Sequence, residues 1–150
     1  MCAEGLTMTS PKLVPELYVS DIGRSRRFYT EVLGFAVLYD RPEERFAYLV
    51  REGAALMLDQ PADPGRTWLA GPLEHPYGRG VNLQIEVGDI DPLHAAVLAA
   101  EALLLPLEER WYRRSDAQLG QRQFVVQDPD GYLLRFCQDL GSRPLPRGGG

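Results

Sequence analysis

Two hexapeptides recur in the same order along this chain, and that recurrence limits its fold more than any other feature. Leu17-Tyr-Val-Ser-Asp-Ile22 returns 68 residues later as Ile85-Glu-Val-Gly-Asp-Ile90, and Gly53-Ala-Ala-Leu-Met-Leu58 returns 78 residues later as Gly131-Tyr-Leu-Leu-Arg-Phe136. Internal self-similarity of this kind marks a supersecondary unit used twice, so both halves should carry the same order of elements. The offset grows by about ten residues between the two matches, which puts an insertion in the second copy, expected in the loop around Trp111 to Gly120.

The order of elements follows from periodicity. Between Leu13 and Ser20, Leu13, Pro15, Leu17 and Val19 alternate with Val14, Glu16 and Tyr18, the period of a strand. Asp21 is placed to cap a helix in which Ile22, Phe28, Tyr29, Val32 and Leu33 recur at helical spacing, and Gly34 is placed to stop it. Residues 35–41, 45–51 and 54–60 read as strands, separated by Pro42-Glu43-Glu44 and by Glu52-Gly53. After a Pro- and Gly-rich connection from Pro61 to Arg79 the order restarts: Val81 to Val87 reads as a strand, Asp89 or Asp91 caps a helix, and strands follow. The expected class is α+β, with two β-α-β-β-β modules, residues 13–60 and 81–138, forming a curved mixed sheet with a concave groove in a single domain of residues 12–140. Residues 1–11 and the tail 141–150 lack apolar periodicity and are expected to be disordered and flexible.

Composition excludes several partners. The net charge of −5 argues against nucleic acid, whose binders carry a basic patch, and Arg24, Arg26 and Arg27 fall on the solvent side of the first helix. No segment approaches the about 20 consecutive apolar residues of a membrane helix, and the first residues lack a signal-peptide pattern, so a soluble cytoplasmic protein is expected. Cys2 and Cys137 form neither a CxxC pair nor a disulfide framework and read as free thiols. The two histidines, His75 and His94, read as surface or helix-packing residues rather than metal ligands.

Several strings carry a family resemblance. Pro15-Glu-Leu-Tyr-Val-Ser-Asp-Ile22, Phe28-Tyr29 and Val32-Leu-Gly-Phe35 resemble the opening strand and helix of the vicinal-oxygen-chelate superfamily of glyoxalases, bleomycin-resistance proteins and dioxygenases. Phe124-Val-Val-Gln-Asp-Pro-Asp-Gly-Tyr132 resembles its closing hairpin, and the resemblance spans residues 13–140. In the enzymes of that superfamily, the resemblance implies, His and Glu at four inward-pointing strand positions hold a metal. Here those positions fall at Val14, Met57, Asn82 and Arg135: an apolar side chain, a soft thioether, a weak neutral donor and a permanent cation. No metal and no cofactor are therefore expected, and the reading leans away from an enzyme.

Strand alternation describes the surface left in their place. Val81, Leu83, Ile85 and Val87 suit a face under a helix, while Asn82, Gln84 and Glu86 form a polar face; aligning the repeats adds Glu16, Tyr18, Asp59 and Arg135 to it. Its carboxylates favour a cationic ligand, and Trp111 and Tyr112, or Trp68 in the Pro61 to Arg79 loop, are candidate stacking platforms. Among superfamily members this surface most resembles the bleomycin-resistance type, which implies a homodimer that sequesters a cationic, partly aromatic small molecule without changing it. Those proteins carry a Trp-Gly pair before the closing strand where this chain has Leu119-Gly120. Pro15 is the candidate hinge for exchanging the first strand between subunits, with an ordinary edge strand as the alternative. Two other functions stay open: a glyoxalase- or dioxygenase-like enzyme with a displaced metal or with Glu16, Glu86 or Tyr18 as acid–base groups, and a protein that assembles through its sheet.

Overall fold

The computed structural model describes residues 11–62 and 66–147, and the chain divides into two units, residues 1–74 and 75–150. The expected disorder of residues 1–11 falls, except for Pro11, outside the described residues. In the first unit β1 (Glu16–Tyr18) leads into α1 (Ile22–Arg27), β2 (Ala36–Arg41), β3 (Phe46–Arg51) and β4 (Ala54–Asp59). Its sheet order is β1-β4-β3-β2, with β1 parallel to β4 and the other pairs antiparallel. In the second unit β5 (Asn82–Glu86), α2 (Ile90–Ala99), β6 (Leu103–Arg114), β7 (Ala117–Gln127) and β8 (Leu133–Pro144) form a sheet of order β5-β8-β7-β6, with β5 parallel to β8. Each unit is a β-α-β-β-β module with its own four-stranded mixed sheet, and the class is α+β.

The duplication extends to single hydrogen bonds. Glu16 lies opposite Met57 and Leu17 opposite Leu58 in one sheet, and Gln84 lies opposite Arg135 and Ile85 opposite Phe136 in the other, reproducing both sequence offsets. The N–H of Val19 donates to the Asp59 carbonyl at 3.0 Å, and that of Val87 to the Cys137 carbonyl at 2.8 Å. Both helices start under the same pair of caps. Asp21 and Asp89 accept from Arg24 and Asp91, while the side-chain oxygens of Gln60 and Gln138 accept from Ile22 and Ile90, each at 2.9 Å. These bonds satisfy amides that a helix start leaves without intrahelical partners.

The copies differ where residues were inserted. After Arg27 the first helix widens into a π turn (Phe28–Val32), closed by the Leu33 N–H on the Phe28 carbonyl; the next bond, from Phe35 N–H to the Tyr29 carbonyl, spans six residues, where its counterpart from Ala102 to Val97 spans five. One extra residue is absorbed as a bulge. The insertion expected as a loop at Trp111 to Gly120 is instead a longer hairpin: β6 and β7 have 12 and 11 residues where β2 and β3 have 6 each. Strands can take up added residues by extending their ladder, and β8 follows them, pairing Gly141 with Gly120 and Pro144 with Ala117. The tail expected to be flexible from residue 141 is therefore strand through Pro144.

One face of each sheet is buried beneath its helix. Leu17, Val19, Leu49, Leu56 and Leu58 are buried together with Tyr29 and Leu33 in the first unit's core, and Ile85, Phe124, Val126 and Phe136 together with Ile90, Leu93 and Val97 in the second's. The helix residues recur at i, i+3 and i+7 in α2, the apolar stripe of an amphipathic helix. His94 lies 5.3 Å from the Phe124 ring, a helix-packing role. Among the described residues no helix is long and apolar enough to cross a membrane.

Candidate ligand-binding site

Side chains directly opposite each other on neighbouring strands share a face, so the register defines the helix-free face of the first sheet as two rows. Glu16, Met57, Tyr48 and Tyr39 make one; Tyr18, Asp59, Phe46 and Arg41 make the other. Tyr39 and Tyr48 stack with centroids 4.9 Å apart and planes at 14°, and Tyr39 lies 6.0 Å from Phe46. The Arg41 guanidinium sits 4.0 Å above the Phe46 ring and is tied to Glu44 at 2.6 Å. The sheet thus offers rings flanked by charge.

Beside the second row opens a cleft of about 530 Å³, within the range of small-molecule sites. Its charged walls are Glu16, Asp59, Glu43 and Glu44 against Arg41 and Arg66; Phe46 and Trp68 provide its rings. Trp68 is 66% exposed, and its backbone N–H donates to the buried Tyr18 hydroxyl at 3.0 Å. Burial pushes the Glu16 carboxyl above its ordinary range, and the nearby Asp59 charge pushes it further, against a smaller opposing pull from Arg41. Burial likewise raises Asp59, which Arg41 partly offsets. A cation placed beside the two groups would favour their charged forms and oppose both shifts.

Of the residues on this face and in this cleft, the sequence alone singled out Glu16, Tyr18 and Asp59 and weighed Trp68; Tyr39, Arg41, Phe46 and Tyr48 were not among its candidates. The signal was available: alternation along residues 45–51 puts Phe46 and Tyr48 on one face, as it does Asn82, Gln84 and Glu86 in the second copy.

The remaining expected residues lie on the second unit. Its helix-free face carries Asn82, Gln84 and Glu86 on β5 and Arg135 opposite Gln84. Tyr112 joins them through Gln123, whose side-chain amide donates to the Tyr112 hydroxyl at 2.6 Å and to Glu108 at 3.0 Å. Trp111 does not. Neighbouring residues on a strand point to opposite faces, so Trp111 and Tyr112 cannot form one platform. The Trp111 ring rests on Gly120, where a Cβ would come within 2.5 Å of it, and the Arg143 guanidinium lies 3.9 Å from its centroid. Its indole N–H donates to Glu109 at 2.9 Å. His75 lines a separate small pocket with Glu101 and Asp128.

Of the four positions that the resemblance aligns with metal ligands, three carry side chains in surroundings that do not suit a metal ion. Val14 and Met57 pack against the apolar cluster of Phe46, Tyr48 and Ala55. Arg135 brings a cation whose buried Nε has no hydrogen-bond partner, which would repel a metal rather than bind it. Among the described residues no three His, Cys, Asp or Glu side chains gather closely enough to hold a metal ion.

Pro15 has a local partner. Its carbonyl accepts the Met57 N–H at 2.8 Å, and β1, an edge strand, pairs with β4 within this single chain.

A β-α-β-β-β module used twice, each copy with its own open four-stranded sheet, defines an α+β protein whose first unit bears rings and carboxylates on its helix-free face. The chain belongs to the Glyoxalase/Bleomycin resistance protein/Dioxygenase superfamily, whose model matches residues 12–136. It is 29% identical over 140 residues to bleomycin resistance proteins of Geobacillus stearothermophilus and Staphylococcus aureus, covering 86% of this chain and 97% of theirs. Among solved structures, a protein of unknown function from Agrobacterium tumefaciens is 28% identical with a TM-score of 0.61, covering 90% of this chain and 99% of that one. A virulence protein from Salmonella typhimurium, 22% identical with a TM-score of 0.63 over 87% of this chain and 98% of its own, shares the fold.

Proposed function

We propose that this chain is a non-catalytic small-molecule binding protein of the bleomycin-resistance type, which sequesters a cationic, partly aromatic ligand in the first unit's cleft. The observation that carries this reading is the pairing of two partly desolvated carboxyls, Glu16 and Asp59, with Phe46 and Trp68 in one cavity. Charge fixes the cationic end and the rings stack on the flat part. The similarity to bleomycin resistance proteins supports the ligand class. The misfit of Val14, Met57 and Arg135 to a metal ion supports binding without chemistry over a glyoxalase- or dioxygenase-like reaction.

The test is calorimetric titration with bleomycin and with simple aromatic cations, followed by mass spectrometry of the recovered ligand. Saturable binding that weakens with salt, with ligand recovered unchanged, is the expected result; a chemically altered ligand or no binding overturns it. Trp68→Ala should weaken binding by about 0.5–1.5 kcal/mol beyond the lost contact area. Trp111→Ala should leave it unchanged, because that ring is engaged by Gly120 and Arg143 in the other unit.

We also propose a homodimer. Edge strands such as β1 leave ladder groups open, and closed two-fold assembly is the common way to cover them. Since β1 pairs within its own chain, strand exchange is not needed for assembly. Light scattering should return about twice 16.8 kDa; a monomer mass at high concentration would contradict the dimer.

A further inference from the structure

Two guanidiniums in the cleft lie over aromatic rings, and they are held very differently. Arg41 is fixed twice, 4.0 Å above Phe46 and ion-paired with Glu44 at 2.6 Å. Arg66 lies 4.9 Å from the Trp68 ring centroid, is exposed, and among the described residues pairs with no carboxylate. The residue beneath it is tied to the sheet, since the Trp68 backbone N–H donates to the Tyr18 hydroxyl at 3.0 Å. A ring on an anchored stretch of backbone therefore carries a planar cation with no second anchor among the described residues, inside a cavity walled by Glu16, Asp59, Glu43 and Glu44.

Given the cleft as a cation site, the reading on which this depends, we infer that Arg66 is a built-in competitor that a planar, delocalised cation displaces from Trp68. Amidinium, guanidinium and cationic heteroaromatic groups are the ligand class, because the chain's own guanidinium already occupies the ring that such a group would stack on. Arg66 then sets specificity as a threshold. A cation gains the ring only if it stacks at least as well as a guanidinium, whereas a compact, strongly hydrated ammonium does not. Arg41, with its second anchor, remains a wall of the site.

The test uses the full chain and benzamidine, a planar aromatic amidinium, titrated calorimetrically into the wild type, Arg66→Ala, Trp68→Ala and the double variant. Removing an exposed cation–π competitor should tighten benzamidine about two- to five-fold in Arg66→Ala. That gain should vanish in the Trp68→Ala background, because the two residues act through one contact. Equal or weaker binding by Arg66→Ala would overturn the competitor role. So would a gain of the same size without Trp68, which would trace the effect to net charge alone. Failure of all four proteins to bind benzamidine or any other cation would instead remove the cation-site reading, and the competitor with it.

Discussion

Gly131→Ala should destabilise the protein by about 2–5 kcal/mol, whereas Gly53→Ala, at the equivalent position of the first copy, should cost only about 1–2 kcal/mol. Both glycines adopt left-handed backbone, with φ of 91° and 88°, so any side chain there is strained. Their surroundings differ. A Cβ on Gly53 meets nothing within 4 Å, but one on Gly131 would lie 2.3 Å from the Cβ and 2.5 Å from the Cα of Pro76. The segment carrying Pro76 cannot yield cheaply, because the next residue, Tyr77, donates its N–H to the Asp130 carbonyl at 2.8 Å. Urea denaturation of the two variants compares them directly. Equal costs would show that the 75–77 segment moves aside freely and is not packed against the β7–β8 turn.

The combined variant Glu16→Gln, Asp59→Asn should lose roughly tenfold or more in affinity for cations. An exposed ion pair contributes about 0.2–1 kcal/mol and a hydrogen bond to a charged group about 1.5–3; the exposed Glu16 belongs near the first figure and the half-buried Asp59 between the two. Their raised pKa values fix the sign of two pH effects. Cations need the ionised form, so binding should fall as pH drops through a range above that of ordinary carboxylates. Stability runs the other way. A carboxyl whose folded pKa lies above its unfolded value contributes stability that is fully present below the unfolded pKa and lost as pH rises through the folded one. Glu16→Gln should therefore melt slightly above the wild type at neutral pH while binding cations less well. A variant that loses both stability and binding would mean that Glu16 supports the sheet instead of straining it.

What the sequence made legible was set by repetition. The offsets of 68 and 78 reappear as cross-strand pairs, and the matching Gln60 and Gln138 caps repeat a detail that neither hexapeptide contains. What it concealed depends on register and depth. Alternation along a single strand tells which residues share a face, but the rows Glu16–Met57–Tyr48–Tyr39 and Tyr18–Asp59–Phe46–Arg41 exist only once four strands are aligned. Trp111 drew attention as an unclaimed indole, yet its seat is Gly120, nine residues along and opposite it on the next strand. The Tyr18 hydroxyl accepts the Trp68 N–H, a pairing of residues fifty positions apart that no local pattern announces.

The most direct test of a cation site in the first unit is to map backbone amide shifts by NMR as benzamidine is added. Shifts centred on Glu16, Arg41, Phe46, Asp59 and Trp68 are the predicted result. Shifts centred on Gln84, Tyr112 and Arg135, with the first unit silent, would contradict it and move the site to the second sheet.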